Sequence, residues 1–83
     1  MLLELQNGKK TVGRKQSQRA ILDGKAQTVY LAANADERIR QETEQLCLEA
    51  GVPVISVETM ESLGRACGIQ VGAAVAALLK TPQ

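Results

Sequence analysis

The chain of 83 residues is long enough for one domain, residues 1–83, and too short for a large catalytic cleft. It has no His and one aromatic residue, Tyr30, which excludes His-based nucleophiles, bases and metal sites, and folds that stack several bases on aromatic rings. The net charge is +1, and no apolar run approaches the ~20 residues that span a bilayer. The two cysteines match no metal or redox spacing, so we predict that both are core thiols. We also predict a monomeric, non-catalytic cytoplasmic protein without metal or cofactor.

The charges are distributed unevenly along the chain. Residues 9–25 carry six basic side chains and one acid, a net of +5, whereas residues 36–61 carry seven acids and two arginines, a net of −5. A basic segment of this kind can meet a polyanion while the acidic segment faces solvent. Chance clustering of surface charges explains the same pattern, and composition alone does not separate the two interpretations.

The first part of the chain predicts short elements separated by glycine. Leucines within residues 2–5 indicate a brief helix, and residues 11–12 indicate a brief strand. Gly13 follows, where the missing side chain would let another backbone approach closely. Good helix formers occupy residues 14–22, and Gly24 stands where a C-terminal cap glycine is common.

The middle of the chain predicts a strand, a helix and a second strand. Residues 28–33 are a continuous apolar run, which is typical of a strand covered on both faces. Asn34 followed by Glu37 resembles a capping box that opens a helix over residues 36–50, whose small and apolar positions share one face. Residues 52–57 are rich in β-branched side chains and predict the second strand. Such a βαβ unit predicts parallel strands and a right-handed crossover.

The last third predicts a helix and leaves the final segment open. The helix begins at Thr59 and ends at Gly68, and Gly64 inside it costs about 1 kcal/mol relative to Ala, so we expect a close packing contact there. Residues 72–79 favour a helix by intrinsic propensity but a buried strand by their place after a β-α-β-α series. The whole series predicts an α/β fold, a three-layer α/β/α domain on a small central sheet.

The first candidate site lies at the start of the helix over residues 14–22. Lys15, Gln16 and Arg19 are three or four residues apart and share one face, and such side chains can bond to base edges. Arg14 and Ser17 could hold phosphates, since a helix N-terminus attracts anions. A solvated basic helix start fits the same residues.

The second candidate site is the segment of residues 63–72, in which Gly68 and Gly72 bracket Ile69, Gln70 and Val71. An exposed apolar tip beside a basic patch would suit unstacked bases. The alternative is that Ile69 and Val71 are core residues that lead into the last strand. Elsewhere no pair of carboxylates is placed for catalysis, and no P-loop is present.

At these segments the sequence resembles the kink-turn-binding ribosomal proteins, the L-seven-Ae and L-thirty-e group, and especially its short bacterial members from Firmicutes. The resemblance covers nearly the whole chain, and its most specific part is the long block at residues 63–74. The segments that carry it are Gly13-Arg14-Lys15-Gln16, Leu31-Ala32-Ala33-Asn34-Ala35-Asp36, Ala50-Gly51-Val52-Pro53-Val54 and Leu63-Gly64-Arg65-Ala66-Cys67-Gly68-Ile69-Gln70-Val71-Gly72-Ala73-Ala74.

The resemblance implies an α/β/α sandwich with a four-stranded mixed sheet and the tail as its last strand. It also implies that the helix that begins near Gly13 enters the widened major groove at the tandem sheared G·A pairs of an RNA kink-turn. There Lys15 and Gln16 would read purines, and Arg19 would add a basic position one turn on. The loop of residues 69–71 would cover flipped-out nucleotides, and residues 34–36 would flank the site. The RNA-binding residues implied are Gly13, Arg14, Lys15, Gln16, Arg19, Asn34, Asp36, Ile69, Gln70 and Val71.

The chain departs from this family at a few positions. Lys15-Gln16 stands where archaeal and eukaryotic members generally have Asn-Glu, Glu37 replaces a proline, and longer relatives continue into a further helix.

From the resemblance we predict a ribosome-associated protein that binds and stabilises kink-turns in ribosomal RNA, a riboswitch or another transcript. One alternative is a protein-interaction adaptor of the same fold that docks through its acidic helix. A thiol-dependent regulator that uses Cys67 is another.

Overall fold

The computed structural model describes residues 8–81, so the helix predicted within residues 2–5 lies outside the described residues. Strands and helices alternate along this part of the chain. The strands are β1 (Lys10–Val12), β2 (Ala26–Ala32), β3 (Val54–Val57) and β4 (Val75–Leu79), and the helices are α1 (Arg14–Leu22), α2 (Glu37–Ala50) and α3 (Met60–Ala66). Within residues 8–81, no helix has the length and apolar character that crossing a membrane requires.

The strands form one mixed sheet in the order β1-β4-β2-β3. β4 lies between β1 and β2 and is antiparallel to both, whereas β2 and β3 are parallel. The predicted four-stranded mixed sheet is thereby confirmed, and so is the strand at the tail. Val75, Ala76 and Ala77 have no exposed surface, because β4 has a partner on each side and helices above and below.

Helices cover both faces of the sheet, as predicted. On one face, Ile21 of α1 and Cys47 of α2 pack with Val29 in one apolar cluster. On the other face, Leu63 and Cys67 at α3 pack with Tyr30, Val57 and other side chains in a second cluster. Both cysteines are buried and free, which confirms the prediction of core thiols.

Two predicted strand boundaries shift because of backbone hydrogen bonding. β2 begins at Ala26, two residues before the predicted start, and its pairing with β4 shifts register between Ala26 and Thr28. β3 begins at Val54 instead of residue 52. Pro53 has no N–H to donate, and it contributes only its carbonyl oxygen, which accepts from the backbone N–H of Val29 at 3.0 Å.

The predicted capping box of Asn34 and Glu37 is wrong. The residue that caps α2 is Asp36, whose side chain accepts from the backbone N–H of Arg38 at 2.9 Å. The Asn34 side chain instead accepts from the backbone N–H of Met60 at 2.8 Å. Asn34 therefore ties the loop after β2 to the start of α3, a contact between segments that are distant in the sequence.

Candidate nucleic-acid interface

One edge of the sheet brings together both candidate sites. β1, β2 and β3 end at this edge and β4 begins there, since β4 runs antiparallel to β1 and β2. The backbone N–H of Gly13 donates to the carbonyl of Val75 at 2.8 Å, which joins the start of α1 to the segment that leads into β4. We name this surface the loop edge and define it as residues 13–19, 33–36 and 68–74.

Gly13 opens α1 without a side-chain cap. Its φ of 105° is one that L side chains rarely adopt, and no other heavy atom lies within 4 Å of where a Cβ would stand. The glycine is therefore needed for its backbone conformation, and the space beside it is open. The first turn of α1 contains no acidic residue, so the partial positive charge of the helix N-terminus is not neutralised from within the turn.

The exposed face of α1 is basic and polar. Lys15, Gln16 and Arg19 are all exposed, as the helical spacing predicted. Arg19 Nε donates to a carboxylate oxygen of Asp23 at 3.1 Å, and the Arg19 side chain remains 79% exposed. An exposed pair of this kind contributes at most about 1 kcal/mol, so a phosphate can replace the carboxylate at little cost.

Two residues beside this face already have protein partners. Arg14 Nη1 lies 3.8 Å from a carboxylate oxygen of Glu42, and both side chains are partly exposed. Ser17 is fully buried, with its hydroxyl oxygen 3.4 Å from that of Thr11. The prediction that Ser17 could hold a phosphate is therefore wrong, because its side chain points into the protein.

Residues 33–36 form the middle of the loop edge and are held by hydrogen bonds. Besides the contact of Asn34 with α3, the Arg40 guanidinium donates to the carbonyl of Ala33 at 2.9 Å. Asp36 is engaged as the cap of α2. The side chains of Asn34 and Asp36 thus have structural partners, although both residues are exposed. Their contact with RNA remains a prediction.

The loop after α3 places its two apolar side chains differently. Gly68 turns the chain with a φ of 80°, and the N–H of Ile69 donates to the carbonyl of Gly64 at 3.0 Å. Ile69 is half-buried against the cluster under α3. Val71 is 71% exposed, and Gln70 is exposed beside it. Ile69 therefore packs partly on the core, whereas Val71 is not a core residue, and contact of either side chain with RNA remains a prediction.

Two glycines hold this loop against α3. A Cβ on Gly64 would collide with the carbonyl oxygen of Val71, and a Cβ on Gly72 would lie 3.1 Å from the Cβ of Met60. The N–H of Ala73 donates to the carbonyl of Met60 at 2.9 Å. The close contact that the sequence predicted at Gly64 is confirmed, and it fixes where Val71 is presented.

Two charged residues beside this loop were not among the predicted RNA-binding residues. A shallow groove of about 350 Å³ runs between α3 and the loop, and Glu61 and Arg65 line it together with residues 69–72. The two charged residues are four apart on α3, a spacing that places side chains on one helix face. That spacing was the available signal, but only the contact of the loop with α3 turns the face into a groove.

The strands and helices together define a small α/β/α domain with a four-stranded mixed sheet. Residues 3–83 match the family described as "Ribosomal protein L7Ae/L30e/S12e/Gadd45 family". The chain belongs to this family, which confirms the resemblance found in the sequence.

Individual relatives are similar along most of the chain. The chain is 47% identical over 76 residues to an RNA-binding protein of Geobacillus sp. (strain WCH70), covering 92% of this chain and 93% of that protein. It is 46% identical over 76 residues to the RNA-binding protein YbxF of Geobacillus stearothermophilus, with the same two coverages of 92% and 93%. The large ribosomal subunit protein eL8 of Halobacterium salinarum is 37% identical over 68 residues, which cover 81% of this chain and 57% of that protein.

Among solved structures, the Giardia lamblia 15.5kD RNA binding protein superposes with a TM-score of 0.89 at 29% identity, covering 96% of this chain and 71% of that chain. A protein with unknown function from Bacillus halodurans C superposes with a TM-score of 0.87 at 23% identity, covering 96% and 84%. The second match supports the fold alone. Both agree with a sheet covered by helices on each face.

Proposed function

We propose that the protein binds RNA through the loop edge, and that it recognises and stabilises kink-turns with tandem sheared G·A pairs and a flipped-out bulge. The observation that carries this proposal is the hydrogen bond of 2.8 Å between Gly13 and Val75. It joins the basic, polar start of α1 to the first residue of β4, which follows the loop that exposes Val71. The names of the Geobacillus relatives support RNA as the class of ligand.

The side chains of the loop edge suit irregular RNA better than a regular duplex. The major groove of A-form RNA is too deep and narrow for side chains to read. Lys15 can donate to O6 and N7 of guanine, and Gln16 can both donate and accept, but only where the groove is widened. Val71 offers an apolar surface, which suits an unstacked nucleotide. A widened groove beside a flipped-out nucleotide meets both requirements.

The mechanism requires no catalysis. A protein that binds the kinked RNA better than the extended RNA shifts the population towards the kink. Arg14, Lys15 and Arg19 supply phosphate contacts, which make affinity dependent on salt. Base-edge contacts from Gln16 and the contact of Val71 supply selectivity. An RNA with such a kink-turn can be a ribosomal RNA or a riboswitch. Association with the ribosome is part of the proposal.

The direct test is a mobility-shift titration at one moderate salt concentration. It compares a kink-turn RNA with the same RNA after its G·A pairs are converted to Watson–Crick pairs. We expect at least a tenfold preference for the intact motif, since one good base contact discriminates by about 1–3 kcal/mol. Equal and weak binding to both RNAs would refute the proposal and favour the protein-interaction alternative.

Two exposed apolar residues provide a matched pair of variants. Val71 on the loop edge and Leu48 on α2 are 71% and 77% exposed. We expect Val71→Asp to weaken kink-turn binding by about tenfold, as for removal of a base contact of 1–3 kcal/mol. Leu48→Asp adds the same charge away from the loop edge. Because it removes no base contact, it should leave kink-turn affinity within about twofold of the wild type. Equal losses would mean that added charge alone lowers affinity. Ile69→Asp is less informative, because Ile69 packs on the core.

A further inference from the structure

The basic segment of residues 9–25 does not form one surface in the folded protein. β1 runs towards the loop edge and α1 runs back, so both ends of the segment lie at the opposite end of the sheet. There the N–H of Leu79 donates to the carbonyl of Lys9 at 2.9 Å, and the N–H of Lys80 donates to the carbonyl of Lys25 at 2.9 Å. Lys80, at the end of β4, is thereby placed between the other two lysines.

Lys9, Lys25 and Lys80, which we name the lysine row, are all exposed. They stand directly beyond the ends of three neighbouring strands, with Lys9 level with Leu79 and Lys25 level with Lys80. Strands are about 4.8 Å apart, so the backbone of the row spans roughly 10 Å. Because side chains alternate along a strand, Lys9 leaves the sheet on the side of α1 and α2, whereas Lys25 and Lys80 leave it on the side of α3. One strand of double-stranded DNA carries a phosphate about every 3.4 Å of helix axis, so on that scale the row covers about three intervals between phosphates of a duplex. β4 has five residues and a rise of about 3.4 Å each, which separates the row from the loop edge by about 17 Å.

The positive charge of the row is not neutralised within the described part of the chain. Among residues 8–81, none of the three lysines forms an ion pair. Within the described residues, the acids that the topology brings to this end, Asp23 and Glu49, form no ion pair with the row. Asp23 pairs with Arg19, and Glu49 accepts from the Gln45 amide at 3.3 Å.

We propose that the lysine row binds the phosphate backbone of a second RNA segment while the loop edge holds the kink-turn. This inference rests on the proposed function. Ammonium groups on flexible stems are point charges without a fixed hydrogen-bonding geometry, which suits contacts to phosphates that carry no sequence information. The protein would then connect a kink-turn to a neighbouring helix, and so stabilise the packing of two helices as well as one bend.

The test uses the full chain bound to a minimal kink-turn RNA with short arms. A labelled RNA duplex without a kink-turn is then titrated at low salt, and formation of the ternary complex is measured. The variant replaces Lys9, Lys25 and Lys80 together by Gln. The control variant is Arg38→Glu with Gln41→Glu, two exposed positions in the N-terminal half of α2 that together lower the net charge by the same three units.

We expect the lysine-row variant to bind the minimal kink-turn like the wild type and to capture the duplex about tenfold more weakly. The slope of its salt dependence for duplex capture should fall by about three, roughly one for each phosphate that a lysine no longer neutralises. The control variant should capture the duplex normally. Circular dichroism spectra of both variants verify that they are folded.

Capture that is equal in the two variants would overturn the proposal, because only net charge would then matter. Capture of poly-glutamate in place of the duplex would overturn the assignment to RNA. Kink-turn affinity is measured separately, on the minimal RNA. Its failure would refute the proposed function, whereas the duplex titration tests the lysine row by itself.

Discussion

Replacing Gly64 by Ala should destabilise the protein even though Ala is the better helix former. In an exposed helix interior the same change would stabilise by about 1 kcal/mol. Here the new Cβ would collide with the carbonyl oxygen of Val71 and would lie 3.1 Å from its carbonyl carbon and 3.2 Å from the Cα of Gly72. All three are backbone atoms, so no side-chain rotation can relieve the contact.

The magnitude follows from two opposing effects. Overpacking a tight core site typically costs about 1–3 kcal/mol, and a backbone obstacle favours the upper end of that range. Subtracting the gain in helix propensity of about 1 kcal/mol leaves a net loss of about 2 kcal/mol in the free energy of unfolding. If the loop instead moves away from α3, the loss is smaller, but Val71 leaves its position at the loop edge. In both cases we expect the affinity for kink-turn RNA to fall.

Urea unfolding and kink-turn titration measure the two effects. With an m-value of about 1 kcal/mol per molar urea for a small domain, the midpoint should fall by about 2 M. Gly51→Ala is the matched control, because Gly51 has a φ of 70° and no other heavy atom within 4 Å of a new Cβ. An L residue in that left-handed conformation costs about 1–2 kcal/mol without moving the loop after α3.

We expect both variants to lose stability and only Gly64→Ala to lose kink-turn affinity, by about tenfold. A Gly64→Ala protein that is as stable as the wild type and binds kink-turns equally well would refute the reasoning. If Gly51→Ala weakened binding as much, the effect would reflect global stability and not the position of the loop.

Two further predictions concern charges and thiols. Glu42→Gln removes the carboxylate 3.8 Å from Arg14, and the free energy of unfolding should change by less than about 0.5 kcal/mol. Kink-turn affinity should rise a few-fold at low salt, and this gain should vanish at high salt. An unchanged affinity at low salt would mean that Arg14 does not contact the RNA. Burial raises the pKa of both thiols, with Glu44 adding to the shift at Cys47 and Lys10 opposing it at Cys67. Between the unfolded and the folded thiol pKa, the folded protein therefore binds more protons than the unfolded chain. The urea midpoint should fall as the pH rises through that window. A midpoint that stays constant there would contradict the burial of the two thiols.

The order of elements was predictable from the sequence, whereas their boundaries depended on tertiary contacts. The Ala-rich tail shows why propensity alone is a poor guide. Helix propensity differs by tenths of a kcal/mol per residue, and β4 has a partner strand on each side and no exposed surface at Val75, Ala76 and Ala77. Burial and pairing of that strand outweigh the local preference, and its place in the series was the better signal.

The candidate site was predictable where the helix period applies. The shared exposure of Lys15, Gln16 and Arg19 follows from their spacing on α1. The loop after α3 has no period, so spacing could not distinguish half-buried Ile69 from exposed Val71. The distinction comes from the packing of the loop against Gly64, where the sequence predicted a close contact but not its partner.

The net charge of the basic segment was evident from the sequence, but its distribution over the folded surface was not. A net of +5 over residues 9–25 suggested one basic segment that faces one polyanion. The segment contains a strand and a helix that run in opposite directions, so Lys15 stands at the loop edge and Lys25 at the opposite end. Lys80 joins that end from the far side of the sequence through β4. A run of like charges therefore indicates a surface only after the direction of each element is known.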